Sequence, residues 1–312
     1  MRIEYHRTLV ADRVRNAAFH EALARVIRKG ETTVADIGAG TGILGFMAAR
    51  LGARSVTLYE QAEVIEVARR IAKRSGIKGC RFVAGSSLEA ERPEKVDVVV
   101  SETLGNYALE EDIVETLNDA HARFLKPGGT LIPASLRQFV APVTAGRFYD
   151  ELVAWNEAGY GIDFSEARIM SLNNIYVRSF APADLLDAGA AAAQWDEIRF
   201  DGRASPARRG EARWKLQAPA TIFGLALWWS AELVPGVGLG TGPLEPKTHW
   251  EQLYLPVLEP LSLREGESLR ARLKSVSTMA TGTDVAWTIA AIAANGAERA
   301  RQRLDLAKGF LP

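Results

Sequence analysis

One cysteine, Cys80, stands in a chain of 312 residues. A lone thiol cannot close an intrachain disulfide, so the sequence reads as one that folds in a reducing, cytoplasmic compartment. Net charge is missing as well, since 38 Lys and Arg balance 38 Asp and Glu. That balance excludes a polybasic nucleic-acid binder, whose grip on phosphate needs a cationic excess. The longest apolar runs, such as Ile222–Trp229, fall far short of the roughly 20 residues a membrane helix needs. Met1-Arg2-Ile3-Glu4 leads into a charged stretch, so no secretory signal is expected. The four histidines and single cysteine show no metal-ligand spacing, and no metal is expected. What is present is ordinary for a globular chain: 47% hydrophobic and 24% charged residues, without internal repeats. At about 150 residues per domain, the length suggests two units.

The first 140 residues alternate helical and strand-like patterns. Val10, Val14, Ala17, Ala18, Ala22, Val26 and Ile27 recur at helical spacing, which predicts one amphipathic helix over 7–28. Lys29-Gly30 supplies its stop signal. Apolar runs at Thr33–Ile37, Ser55–Tyr59, Arg81–Ala84, Val96–Val100 and Thr130–Ile132 predict strands, with helices near 43–51, 63–75 and 110–124. Strand and helix at this pitch predict an α/β domain over 1–140 with a parallel sheet. Beyond it, Leu216–Ala218, Thr221–Leu233, Gln252–Val257, Ser268–Ser275, Val285–Ile292 and Arg301–Leu306 predict a mostly antiparallel β domain over 141–312. Residues 166–196, with Pro182–Leu186 and the run Ala190–Ala193, read as a short helical arm, and Ser205–Gly210 as a turn.

The strongest local signal is Asp36-Ile37-Gly38-Ala39-Gly40-Thr41-Gly42-Ile43-Leu44, a strand entering a glycine turn that opens a helix. Glycines let the backbone approach a ligand closely. Gly40, Gly42 and Gly45 also satisfy the dinucleotide fingerprint, so a nicotinamide-dependent oxidoreductase is one reading. Asp36 tilts the choice, because a carboxylate here opposes phosphate and suits a cation. S-adenosylmethionine carries an ammonium and a sulfonium and no phosphate. Glu60, at the end of the second strand, can accept both ribose hydroxyls, a role shared with nucleotide dehydrogenases that does not separate the two readings.

Ser101-Glu102-Thr103-Leu104-Gly105-Asn106-Tyr107-Ala108-Leu109-Glu110-Glu111 resembles the double-glutamate loop of protein arginine methyltransferases, with its glutamates 111 − 102 = 9 positions apart. Lys247-Thr248-His249-Trp250-Glu251-Gln252 resembles that family's Thr-His-Trp loop, and His6–Phe19 is similar to its N-terminal helix. The resemblance covers almost the whole chain. It implies a Rossmann-like cofactor domain, a C-terminal β-barrel and a homodimer formed through the arm. It also implies a methyl transfer from S-adenosylmethionine, leaving S-adenosylhomocysteine, to an arginine of a protein or peptide. Glu102 and Glu111 then form the guanidinium clamp, with Glu110 a rival for the second place. A planar cation gripped by two carboxylates through charge-assisted hydrogen bonds is held for reaction. His249 and Asp12 match a pair that orients the clamp or relays a proton. Arg15, Asp36, Gly38, Gly40, Gly42, Leu44, Glu60, Ser87 and Glu89 match the cofactor-binding positions.

Some features depart from the family. Counting back from His6, the tyrosine-bearing lid falls at or before Met1. Thr103 and Asn106 stand where the clamp loop usually carries aromatics, and Leu9 and Ile113 where methionines restrict the pocket. These departures leave a second acceptor class open, a peptide N-terminus or another amine. A non-catalytic partner of an active enzyme is a further alternative, against which the retained Glu102, Glu111 and His249 weigh.

Overall fold

The computed structural model describes residues 3–157 and 159–309. Five parallel strands build the first sheet: β1 (Thr33–Ile37), β2 (Ser55–Glu60), β3 (Cys80–Ala84), β4 (Val96–Ser101) and β5 (Leu125–Ile132), in the order β3-β2-β1-β4-β5. Central β1 and β4 are apolar and buried almost throughout, as strands covered on both faces must be. Three crossover helices do the covering. In chain order, the helices of this half are α1 (Ile3–Ala11), α2 (Arg13–Val26), α3 (Ile43–Arg50), α4 (Val64–Arg74) and α5 (Ile113–Arg123). α4 shows the pattern: Ile65, Ala68 and Ala72 face the sheet while Arg69, Arg70, Lys73 and Arg74 face water. The connections run to opposite sides of β1, so the carboxyl ends of β1 and β4 part and leave a crevice.

The single helix expected over 7–28 is two. Asp12 adopts an extended backbone and its Oδ1 accepts the Arg15 N–H at 2.9 Å, so it ends α1 and caps α2. Apolar spacing continues across such a break, which is why periodicity alone does not reveal it.

The second half is antiparallel. A six-stranded sheet holds β7 (Tyr176–Arg178), β12 (Gln252–Leu263), β10 (Ala220–Val234), β6 (Ser135–Val143) and β8 (Ala193–Arg199) in that order, with β11 (Val237–Gly240) on β10. A four-stranded sheet runs β15 (Glu298–Asp305), β14 (Gly282–Ile292), β13 (Ser268–Thr278), β9 (Ala207–Lys215). β8 and β9 lie side by side where the sheets meet. Trp287 of β14 is buried between the sheets and donates its indole N–H to Pro256 O of β12 at 2.8 Å. Because β6 already pairs with β10 and β8, the change of sheet falls at residues 133–134.

Three local expectations change. Ala207–Gly210, read as a turn, opens β9, which is held in register along β13. Leu216–Ala218, read as a strand, only connects β9 to β10. The run Ala190–Ala193 is not helical; Ala193 begins β8, because cross-strand pairing with Val140 outweighs alanine's helical preference. α6 (Arg147–Val153) precedes the arm, whose helical part is α7 (Ser165–Leu172) together with short 3₁₀ turns at Pro182–Asp184 and Leu186–Gly189.

Candidate active site

The crevice holds a cavity of about 700 Å³ lined by the ends of β1, β2 and β4, the start of α5 and one face of α1. That size suits a small-molecule site. Gly38 and Gly40 have left-handed backbones, with φ of 72° and 55°. A Cβ on Gly38 would meet Thr103 at 2.8 Å, and one on Gly40 would meet the His6 ring at 2.9 Å. Both the dihedrals and the space therefore require glycine. Ser101 Oγ donates to Ile37 O at 2.8 Å and ties the end of β4 to the end of β1.

Acidic groups converge here. Asp36 is 1% exposed and its Oδ2 accepts the Gly45 N–H at 2.7 Å. Burial lifts its pKa to about 7. Glu60 accepts N–H bonds from Gly40 at 2.9 Å and Ala62 at 2.7 Å, which fixes its carboxylate at the cavity wall. Arg15, buried on α2, donates Nε to Glu102 Oε2 at 2.7 Å and pairs with the same oxygen through Nη2. Its Nη1 donates to Asn16 Oδ1 at 2.7 Å. Glu102 Oε1 accepts the Leu104 N–H at 3.1 Å.

Glu102 and Glu111 both line the cavity, whereas Glu110 does not. The Glu110 carboxylate lies over Gly105, and burial raises its pKa to about 6. Glu111 and Asp112 take left-handed backbones, φ 55° and 58°, uncommon for residues other than glycine. The turn directs Glu111 inward, where burial and the Glu102 charge raise its pKa.

Asp12 and His249, 237 positions apart, meet. Asp12 Oδ2 accepts the His249 N–H at 2.8 Å and lies 2.7 Å from Nδ1. Burial alone would raise the Asp12 pKa, but the N–H of Arg15 and both groups of His249 outweigh it and hold it below the usual range. The His249 ring lies 3.9 Å from that of Trp250, whose indole N–H donates to Leu104 O at 2.7 Å. Neither Asp12 nor His249 lines the cavity; they sit behind Arg15 and the clamp loop.

Of the expected cofactor positions, Arg15, Asp36, Gly38, Gly40, Leu44, Glu60 and Ser87 line the cavity, while Gly42 and Glu89 do not. Glu89 is exposed, and its neighbours Ser86, Ser87 and Leu88 form the wall instead. Leu9 lines the cavity, and Ile113 is wholly buried outside it. The expected lid position, at or before Met1, lies outside the described residues. α1 itself contributes Tyr5, His6 and Leu9 to the cavity. His6 was missed as a site residue. It is buried, its Nε2 finds no partner among the described residues, and burial lowers its pKa. A lone histidine on a short helix carries no pattern that announces this. Met279, at the β13–β14 turn, was missed for the same reason.

Residues 28–160 match a family described as a methyltransferase domain, and residues 134–287 one described as an arginine methyltransferase oligomerization subdomain. Protein arginine N-methyltransferase 6 of Xenopus tropicalis is 30% identical over 275 residues, covering 84% of this chain and 81% of that one. The arginine N(omega)-methyltransferase of Streptomyces achromogenes subsp. streptozoticus is 29% identical over 284 residues, covering 86% and 75%. Among solved structures, a Trypanosoma brucei PRMT1 enzyme–prozyme heterotetramer with AdoHcy superposes with a TM-score of 0.86 at 25% identity, covering 96% of this chain and 97% of that one. Arabidopsis thaliana protein arginine methyltransferase 10 shares the fold, with a TM-score of 0.82 at 20% identity and 98% of each chain covered.

Proposed function

The chain belongs to the protein arginine methyltransferase family, and on that premise we propose that it methylates an arginine guanidinium of a protein or peptide with S-adenosylmethionine. One observation carries the reading: a single cavity is lined both by the glycine loop and by the carboxylates Glu102 and Glu111. Membership of this family sets the nicotinamide reading aside. Retention of both carboxylates supports an enzyme over a non-catalytic partner.

The cavity suits the cofactor chemically. Gly38 and Gly40 open the backbone to a ligand, Glu60 offers a carboxylate for ribose hydroxyls, and His6 Nε2 is a buried polar atom still without a partner. Three bonds are placed on Arg15, leaving two of its five N–H donors for a carboxylate. Asp36 lines the same cavity, where a carboxylate suits a cationic cofactor without phosphate. Bound here, S-adenosylmethionine supplies an electrophilic methyl group.

Everything else falls to the chain. Glu102 and Glu111 accept hydrogen bonds from the planar guanidinium and fix its orientation. They concentrate positive charge on the nitrogens they hold, so the remaining nitrogen stays electron-rich. Glu111, a clamp carboxylate with a raised pKa, is placed to take the released proton. Asp12 and His249 brace α2 and Trp250 behind the clamp. A second acceptor, another amine, rests on Thr103 and Asn106 at the positions of the missing aromatics. Mass spectrometry of products from arginine peptides, free arginine and amine-terminated peptides decides. The expected result is a 14 Da methyl increment on the arginine peptide, and turnover of an amine with none on arginine would refute the assignment.

The partner we assign is a second copy of the chain. Trp155, Tyr160, Ile162 and Met170, on and around α7, are exposed apolar side chains. An apolar groove of about 430 Å³ lies across α1–α4, lined by Val10, Ile43, Phe46, Met47 and Ile71. The two surfaces are complementary in character, and each needs cover. No helix among the described residues is long and apolar enough to cross a membrane. The single Cys80 supports a reducing, cytoplasmic setting.

A further inference from the structure

The clamp loop is held chiefly from the second domain. Trp250 donates to Leu104 O at 2.7 Å, Trp229 to Gly105 O at 3.1 Å, and Asn106 Oδ1 accepts the Glu251 N–H at 2.9 Å. The next residue, Tyr107, is buried and its hydroxyl lies 2.5 Å from Ser275 Oγ of β13. Gln138 lies near that hydroxyl. It donates to Asp196 at 3.0 Å, and Arg208 donates to Asp196 at 2.9 and 2.7 Å. Ser275 and Arg208 face each other across β13 and β9, and Gln138 and Asp196 across β6 and β8. One sheet of the second domain thus reaches the phenol directly through Ser275, and Asp196 ties the other sheet to it through Arg208. Burial pushes that phenol up to about 12, so it stays neutral and hydrogen-bonded.

Resting on the methyl-transfer reading above, we propose that Tyr107 is a positioning residue that sets the second clamp carboxylate, Glu111, from the β domain through Ser275. The connection is short. Glu110 N–H donates to Tyr107 O at 2.9 Å, closing a turn directly after which Glu111 enters its left-handed conformation. A shift of Tyr107 moves the start of that turn, and with it the carboxylate.

Tyr107→Phe keeps the ring and removes one hydroxyl. The expected kcat toward an arginine peptide is on the order of tenfold lower, because a small displacement of a clamp group misaligns the acceptor. S-adenosylhomocysteine affinity by calorimetry should stay within about twofold, since cofactor contacts lie on the other wall. Ser275→Ala cuts the same bond from the β domain and should lose the same activity. The double variant should be no worse than either single one, as expected of two groups acting through one bond. A folded single variant with wild-type kcat, or losses that multiply in the double variant, overturns the proposal. If the wild-type chain methylates no arginine peptide while turning over another amine, the proposed function fails instead, and this inference with it.

Discussion

Glu110 folds back over Gly105, while Glu111, next along the chain, enters the cavity. The two are chemically alike, and the spacing from Glu102 is nearly the same for both, so sequence leaves them as rivals. Exchange to glutamine separates them. Glu102→Gln and Glu111→Gln should each lower kcat by about a hundredfold or more, as loss of a charged transition-state partner does, with cofactor binding nearly unchanged by calorimetry. Glu110→Gln should stay within about threefold, a surface-like response for a group that touches no ligand. Equal losses at 110 and 111 would mean the loop rearranges on binding. Asp36 gives a pH test. With its pKa near 7, it is largely protonated in the empty chain below neutrality. A cation prefers the ionised carboxylate, so S-adenosylmethionine affinity should rise with pH through about 7, with proton release on binding at lower pH. Calorimetry in buffers of different ionisation enthalpy measures this, and Asp36→Asn should flatten the profile. For folding the sign runs the other way. The native state keeps a proton that the unfolded chain has lost, so the stability owed to this group declines as pH rises from 3.8 toward about 7.

At the scale of elements, Asp12 serves two structures with two oxygens. Oδ1 caps α2 and Oδ2 holds His249. Asp12→Asn retains a capping side chain, whereas Asp12→Ala loses the cap at a cost of about 1 kcal/mol. Thermal unfolding should therefore show the alanine variant less stable than the asparagine one. If the charge orients the clamp, both variants should lose activity; an asparagine variant with wild-type turnover would leave Asp12 a cap only. The glycine loop, the parallel strands and the antiparallel strands after 220 were legible because each carries a strong local period or turn. β9 was not. Its first residues, Ala207-Arg208-Arg209-Gly210, have weak strand preference, and what makes them a strand is the neighbouring ladder of β13. Nor was the break at Asp12 legible, since capping depends on one side chain's rotation.

For the whole molecule, the two apolar surfaces imply an assembly. Met47→Asp in the groove, or Tyr160→Asp beyond α6, should convert the expected dimer to monomer at micromolar concentration by light scattering, as burying an unpaired charge in an interface disfavours association. A wild-type chain that is monomeric under the same conditions would remove the interface. The sequence by itself determined the order of a parallel α/β half and an antiparallel half, the glycine turn after β1 and the family resemblance of the Glu102 loop, because these are written in contiguous motifs whose chemistry is local. Tertiary structure decided which of two adjacent glutamates faces the cavity, brought Asp12 to His249 across 237 positions, turned His6 of α1 onto the cavity wall and joined Tyr107 to Ser275. Those contacts depend on how sheets and helices pack against one another, and no local pattern in the chain encodes a distance between residues that only folding brings together.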